Sequence, residues 1–253
     1  VQLMATRTEF IKQLDEISSL IDHFTDKAVA DVRAAGLAMQ GDKGATDGIL
    51  AGQKTEESLR STLESRCFDV MLLQQPLIGE DLRFVTAAFR IVSDLARIDS
   101  MTRDIAFLVH ELPAKATSKL ATNAMAMSNE AAGMVESAVE AFKESSAERA
   151  EAVIAADAEV NALYDRSEAA LVELMKSGKS SALYLPELLM VAKYFERIAD
   201  HAKRIADWAV FRKTGKHSSS AGKVTDILLE DEGIPRDTKT CLLYTSPSPR
   251  DRQ

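Results

Sequence analysis

The sequence predicts an all-α protein of two tandem three-helix bundles, six long helices related by a pseudo-twofold repeat. Three observations carry this reading. Of Pro76, Pro113, Pro186, Pro235, Pro247 and Pro249, only three precede residue 234, and a chain with so few breakers can run in long helices. Aromatic residues make up 6% of the 253, so a core of Ala, Leu, Ile, Val and Met suits packed helices better than an aromatic-rich β-sandwich. Between the breaks, apolar residues recur at the helical period, and no window alternates strongly enough to argue for a strand.

The elements follow in order. The first helix reads over about 6–38 and ends among Gly36, Gly41, Gly44 and Gly48. The second runs from about 45 to 75 and stops at Gln75-Pro76, with Gly79 behind it. The third spans about 80–111 and is closed by Leu112-Pro113, since the residue before proline is driven out of the helical region. The fourth and fifth read over about 114–146 and 148–177, the latter ended by the turn from Lys176 to Lys179. The sixth, about 184–213, has the clearest pattern. Leu188, Val191, Phe195, Ile198, Ala202, Ile205 and Ala209 step by three and four residues, a seam for packing on other helices.

The third helix repeats that seam 100 positions earlier, as Ala88, Ile91, Leu95, Ile98, Thr102, Ile105 and Val109. Arg97, Ile98, Ile105 and Ala106 are identical to Arg197, Ile198, Ile205 and Ala206. The second and fifth helices align with an offset of 104, which pairs Leu50, Leu59 and Glu64 with Ile154, Leu163 and Glu168. Any two amphipathic helices align at heptad spacing, but Arg97 and Arg197 lie off the seam, so the identity there favours a duplicated domain. The expected halves are residues 4–111 and 114–214. A Ser-, Gly- and charge-rich tail is expected over 215–239. Met4 reads as a start preceded by read-through, and 240–253 (TCLLYTSPSPRDRQ) as appended, non-native sequence.

Composition narrows the function. The formal net charge of -8 and the pI of about 5.2 argue against nucleic acid as a partner. Cys67 and Cys241 are too few for a disulfide scaffold and suit a reducing cytosol. No stretch reaches the roughly 18 apolar residues that span a bilayer, and no signal peptide is visible, so the chain is expected to be soluble and intracellular. Catalytic motifs fail one by one. Gly178-Lys179-Ser180 resembles the end of a phosphate-cradling loop, but Glu173 stands where that loop needs glycine. The residues three before His23, His110, His201 and His217 are Leu20, Phe107, Ile198 and Thr214, so the Glu-x-x-His of a di-iron bundle is missing. No nucleophile and base can be paired by spacing, and the expectation is that the protein is not an enzyme.

One acidic pattern remains. Glu196 and Asp200 are four apart on the sixth helix, so their carboxylates share a face and repel by a few tenths of a kcal/mol. Lys193, Lys203 and Arg204 can offset that repulsion on a solvated face, and so can a divalent cation. Asp157 and Asn161, four apart on the fifth helix, are the further oxygens available if the helix register turns them inward. In the first repeat the corresponding positions hold Ala96, Ser100, Gln53 and Glu57, while Asp94, Asp99 and Asp104 fall on other faces. The second repeat is therefore the one expected to hold metal. His201 reads as a packing or surface histidine in preference to a ligand.

Four segments carry a family resemblance: LQQPLIGEDLRF (73–84), RIDSMTRDIA (97–106), ADAEVNALY (156–164) and FERIADHAKRIAD (195–207). Together they resemble the PhoU family of phosphate-uptake regulators, over about 6–214. The resemblance implies two three-helix bundles in tandem, self-association as a homodimer or larger assembly, and a cytoplasmic location. It implies repression of the phosphate-starvation response through the ATPase subunit of a phosphate ABC transporter and a phosphate-sensing histidine kinase, with the membrane reached only through these partners. It also implies a metal, divalent or of the iron type, on a Glu/Asp-x-x-x-Asp motif in each repeat, and no organic cofactor. Glu196 and Asp200 match that motif, and Asp157 and Asn161 match the polar pair facing it. Ala96 and Ser100 depart from it, so one site is expected. A contrasting reading is a structural helical scaffold or coiled-coil signalling protein without metal, its carboxylates serving as surface charge.

Overall fold

The computed structural model describes residues 2–42, 44–74, 76–176 and 183–218, with side chains from residue 7 onward. The expected tail beyond 218, the appended sequence at 240–253, Gln75 and the glycine turn at 177–182 lie outside the described residues. The described residues form eight α-helices and no strand, with a 3-10 turn at 183–184 leading into the last: α1 (Gln2–Met39), α2 (Gly44–Ala51), α3 (Gln53–Leu73), α4 (Gly79–Glu111), α5 (Ala114–Thr117), α6 (Ala121–Glu144), α7 (Ala147–Lys176) and α8 (Leu185–Thr214). Among them none is long and apolar enough to cross a membrane.

Both seams are buried in full. Every seam residue of α4 and α8 is at most 1% exposed. α8 packs on α6, α7 and α4, and α4 packs on α1, α2, α3 and α8. α1 lies against α2, α3, α4 and α6, and α6 against α7. Burying whole faces of long helices is the main source of their stability, since isolated helices are marginal in water.

Two of the six expected helices are divided. The 45–75 segment is pinched at Gly52, whose N–H reaches Ile49 O at 3.3 Å in a three-residue turn, while Thr55 and Glu56 both donate to Gly52 O. A Cβ on Gly52 would lie 2.5 Å from Glu56 Oε1 and 3.0 Å from Lys27 Nζ. A side chain there would meet the charged ends of an ion pair, which would have to shift to admit it, a constraint that helical period does not reveal. The 114–146 segment is divided at Ser118–Leu120, where Lys119 and Leu120 donate to Ala116 and Thr117 in three-residue turns. Leu120 is buried there and anchors the start of α6.

The turn between α6 and α7 has two supports. Ser145 adopts a left-handed conformation (φ 53, ψ 41), and Ser146 N–H closes back on Ala141 O at 2.9 Å, a Schellman-type helix end. Arg212 of α8 donates to Phe142 O and, at 3.1 Å, to Lys143 O, with its guanidinium over the rings of Phe84 and Phe142. A half-buried cation thus meets the negative end of α6. α1 and α6 approach closely enough that a Cβ on Gly36 would lie 2.0 Å from Ser128 Oγ.

The α4–α8 contact repeats itself about a local dyad. Asp94 of α4 meets His201 and Arg204 of α8, at 2.8 and 3.3 Å. At the positions equivalent to Asp94 and Arg204, 100 later on one helix and 100 earlier on the other, Tyr194 of α8 meets Asp104 of α4. The two helices therefore cross antiparallel, with equivalent positions exchanged.

Candidate cation sites

The second half places its predicted residues between α7 and α8. Asp157 is buried, and its Oδ2 accepts from Lys203 Nζ at 2.7 Å and from Asn161 Nδ2 at 3.2 Å. Its Oδ1 is buried and has no hydrogen-bond partner among the described residues. Glu196 is largely buried and pairs with Lys193 at 2.8 Å, while Asp200 is exposed. The hydrogen bond to Asp157, less the cost of burial, holds the Lys203 ammonium above its ordinary range, with Asp200 and Glu196 adding to the field. The hydrogen bond to Glu196 does the same for Lys193. Asp157, Asn161, Glu196 and Asp200 thus surround two lysines.

Of the offsetting cations expected from spacing, Lys193 reaches Glu196, Lys203 reaches across to Asp157, and Arg204 turns to Asp94. His201 Nδ1 also meets Asp94, so it is a packing histidine joining α8 to α4. The second half offers one unsatisfied Asp157 oxygen, but its acids do not bring three carboxylate oxygens within 4.8 Å of one another among the described residues, and Asp157 and Glu196 are each paired with a lysine.

The first half holds a cluster that spacing did not reveal. Asp31 of α1, Glu56 of α3 and Asp99 of α4 are all buried. Each offers an oxygen within 4.8 Å of the others, the one acidic trio at such spacing among the described residues, and a group that could hold a metal ion. Lys27 pairs with Asp31 and, at 2.9 Å, with Glu56 Oε1. Arg103 pairs with Asp99 and, at 2.5 Å, with Glu56 Oε2. Burial first, then the hydrogen bond and charge of Glu56, push Asp99 up to about 7, against the pull of Arg103. Burial also raises Asp31, although Lys27 opposes it. Burial would raise Glu56 too, but its hydrogen bonds to Asp99 and Lys27 prevail and its pKa is lowered. A cleft of about 370 Å³, lined by Glu56, Arg60, Arg97, Asp99, Ser100 and Arg103 among others, opens onto this cluster.

One sequence signal bore on this site. Arg103 and Lys203 are 100 positions apart, and each reaches a buried acid on the helix before its own: Glu56 on α3, Asp157 on α7. Cys67 is also buried, and burial pushes its thiol up to about 12, so it offers no reactive thiolate.

Comparison with known proteins follows this geometry. A family model described as the PhoU domain matches residues 124–209. A phosphate-specific transport system accessory protein PhoU homolog of Caulobacter vibrioides is 31% identical over 183 residues, covering 71% of this chain and 78% of that protein. The homolog of Clostridium acetobutylicum is 27% identical over 214 residues, covering 83% and 97%. Among solved structures, the phosphate transport system regulatory protein PhoU of Streptococcus pneumoniae superposes with a TM-score of 0.74 at 24% identity, covering 82% of this chain and 98% of that one. The fold is shared with that helical protein.

Proposed function

This chain belongs to the PhoU family, and from that premise we propose that it is a regulatory accessory protein of phosphate transport. The observation that carries this reading is the match to the Clostridium acetobutylicum accessory protein over 97% of that protein's length. In this reading the protein works in the cytoplasm as a negative regulator, self-associates, and catalyses no reaction. It contacts the ATPase subunit of a phosphate ABC transporter and a phosphate-sensing histidine kinase when phosphate is plentiful. Its contacts must differ between two states of those partners, because a ligand indifferent to state shifts no equilibrium.

The division into two three-helix halves, 4–111 and 114–214, belongs to the same proposal. It is supported by the dyad in which Asp94 meets Arg204 and Tyr194 meets Asp104. Metal belongs to it as well. Glu196, Asp200, Asp157 and Asn161 would hold it, and a bound ion would supply a fixed positive charge joining α7 to α8. In this chain Lys193 and Lys203 hold those acids meanwhile. The same ion pairs favour the second reading, a metal-free helical scaffold.

The test is genetic. In a host deleted for its own regulator, this chain restores repression of a phosphate-starvation reporter in phosphate-rich medium and co-purifies with the transporter ATPase subunit. A folded chain that does neither overturns the regulatory reading. Metal content of protein purified without chelator separates the two readings of the acids: Glu196→Ala/Asp200→Ala lowers it, and equal content in both chains favours the scaffold.

A further inference from the structure

We propose that the end of the α3–α4 hairpin is a docking surface for a basic amphipathic helix of a partner protein, seated on Phe68, Leu72 and Leu82. The inference names a surface and a partner chemistry that the regulatory reading leaves unassigned, and it does not rest on that reading.

The first support is apolar exposure. Of the twelve large apolar side chains exposed among the described residues, five fall between residues 68 and 82: Phe68, Leu72, Leu73, Ile78 and Leu82. Exposed apolar residues scattered singly are ordinary, whereas a contiguous group marks an interaction site. Phe68 is 60% exposed and Leu72 is 71% exposed. They are four apart and share one face of α3. Leu82 and Phe89 stand about two turns apart on α4. The rings of Phe68 and Phe89 meet edge-on, centroids 5.3 Å apart, and join the two rows. Leu73 and Ile78 lie on the chain between them.

The second support is preorganisation. Gln74, beside the tip, donates to Gln13 of α1 at 3.2 Å. On the other side Arg83 donates to Arg212 O of α8 at 2.9 Å. The hairpin end is thus tied to α1 and α8, so a partner docks on a surface already ordered.

The third support is charge, and it decides the occupant. Residues 68–82 carry three acids, Asp69, Glu80 and Asp81, and no base. The bases on either side are engaged: Arg66 holds Glu16 at 3.0 Å and reaches Asp69 only at 3.9 Å, and Arg83 is turned to α8. Glu80 and Asp81 complement the dipole at the first turn of α4, yet both charges stay beside Leu82. A second copy docked here about a twofold axis would set these acids against themselves. A helix with leucines on one face and lysines or arginines on its flanks answers both the apolar row and the acids. The second half lacks this combination. With the offset of 104, Leu72 matches Lys176, and Lys176 pairs at 2.8 Å with Glu173, the match of Asp69. That end neutralises its own acid.

The experiment titrates the full chain into a fluorescein-labelled peptide of Leu and Lys patterned as an amphipathic helix, followed by anisotropy, and repeats it with Glu in place of Lys. The Lys peptide binds saturably, and the Glu peptide binds at least about tenfold more weakly. Phe68→Ser/Leu72→Ser weakens the Lys peptide by at least about tenfold, with helix content unchanged by circular dichroism. Val172→Ser/Met175→Ser, exposed positions of the other half, leaves its affinity unchanged. Hydrogen exchange on the wild-type chain needs no variant: bound peptide slows exchange across 68–82 and not across 165–176. The proposal is overturned by absence of saturable binding, by equal binding of the two peptides, by affinity that Phe68→Ser/Leu72→Ser leaves unchanged, or by protection confined to other segments. A wild-type dimer in sedimentation that becomes a monomer in Phe68→Ser/Leu72→Ser gives the surface to a second copy and overturns it. Binding to phosphatidylglycerol vesicles that is lost in the same variant gives it to lipid and does so too.

Discussion

Arg103 and Lys203 occupy equivalent positions in the two halves and work in different surroundings. Arg103 is 14% exposed and holds two acids that are themselves almost wholly buried. Lys203 is 41% exposed and holds one, with Asn161 sharing that acid. The acids they reach are not aligned. With the 104-residue offset Asp157 matches Gln53, and Glu56 lies one turn further along the same face. What the two sites share is a basic side chain on α4 or α8 neutralising a buried acid on the helix before it, α3 or α7, and the acid's position is free to shift by a turn because both sites lie on the inward stripe. The first half adds a third acid, Asp31, and a second cation from α1.

Removing each base breaks the comparison most sharply. Arg103→Met leaves Glu56 and Asp99 buried with Lys27 alone and is expected to cost about 3–5 kcal/mol. Lys203→Met leaves Asp157 with Asn161 and is expected to cost about 1–2 kcal/mol. Urea unfolding of the two variants measures both, and equal losses would show that the two sites carry the same burden.

The glycine at the pinch gives the next effect. Gly52→Ala drives a methyl to 2.5 Å from Glu56 Oε1 and is expected to destabilise by about 1–3 kcal/mol. Ala156 already stands at the aligned position of the second half, and Ala156→Gly is expected to cost only about 0.5–1 kcal/mol of helix propensity. Thermal melts of the pair distinguish crowding from propensity. If Gly52→Ala stabilises, the close approach is not limiting.

Acidity comes third. Asp99 is raised in the folded chain to about 7, from an ordinary value of 3.8. Between these values the folded chain holds a proton that the unfolded chain has lost, so this group's contribution to stability falls as pH rises from about 4 to about 7 and is level above. The groups facing it are Glu56 of α3, Arg103 of α4, and Lys27 and Asp31 of α1. Asp99→Asn is expected to flatten the stability profile between about pH 4 and about pH 7, read from melting temperatures across that range. An unchanged slope would move the proton elsewhere. The smallest effect belongs to Arg33 and Glu136, which join α1 to α6 at 3.1 Å with both side chains about half exposed. Glu136→Gln is expected to change stability by less than about 0.5 kcal/mol.

The seams of α4 and α8 were legible because burial imposes a period, and a duplicated period stands out at a constant offset. The breaks at Gly52 and Ser118–Leu120 were not, since each depends on what packs nearby: an ion pair in one case, the buried Leu120 in the other. Glu196, Asp200, Asp157 and Asn161 could be named from spacing within single helices. The Asp31–Glu56–Asp99 cluster joins three helices, and spacing along one helix does not set its rotation against another. Asp99 read as lying off the acidic face because its partners come from α1 and α3. His201 read as a packing or surface histidine, and its partner Asp94 lies 107 positions away, beyond the reach of spacing along one helix.

The most direct test of the regulatory account is binding between the purified chain and the purified ATPase subunit of the phosphate transporter from the same source, followed by calorimetry. The account predicts saturable binding whose affinity changes with the nucleotide state of the ATPase. A folded chain that shows no heat of binding in any nucleotide state would contradict it.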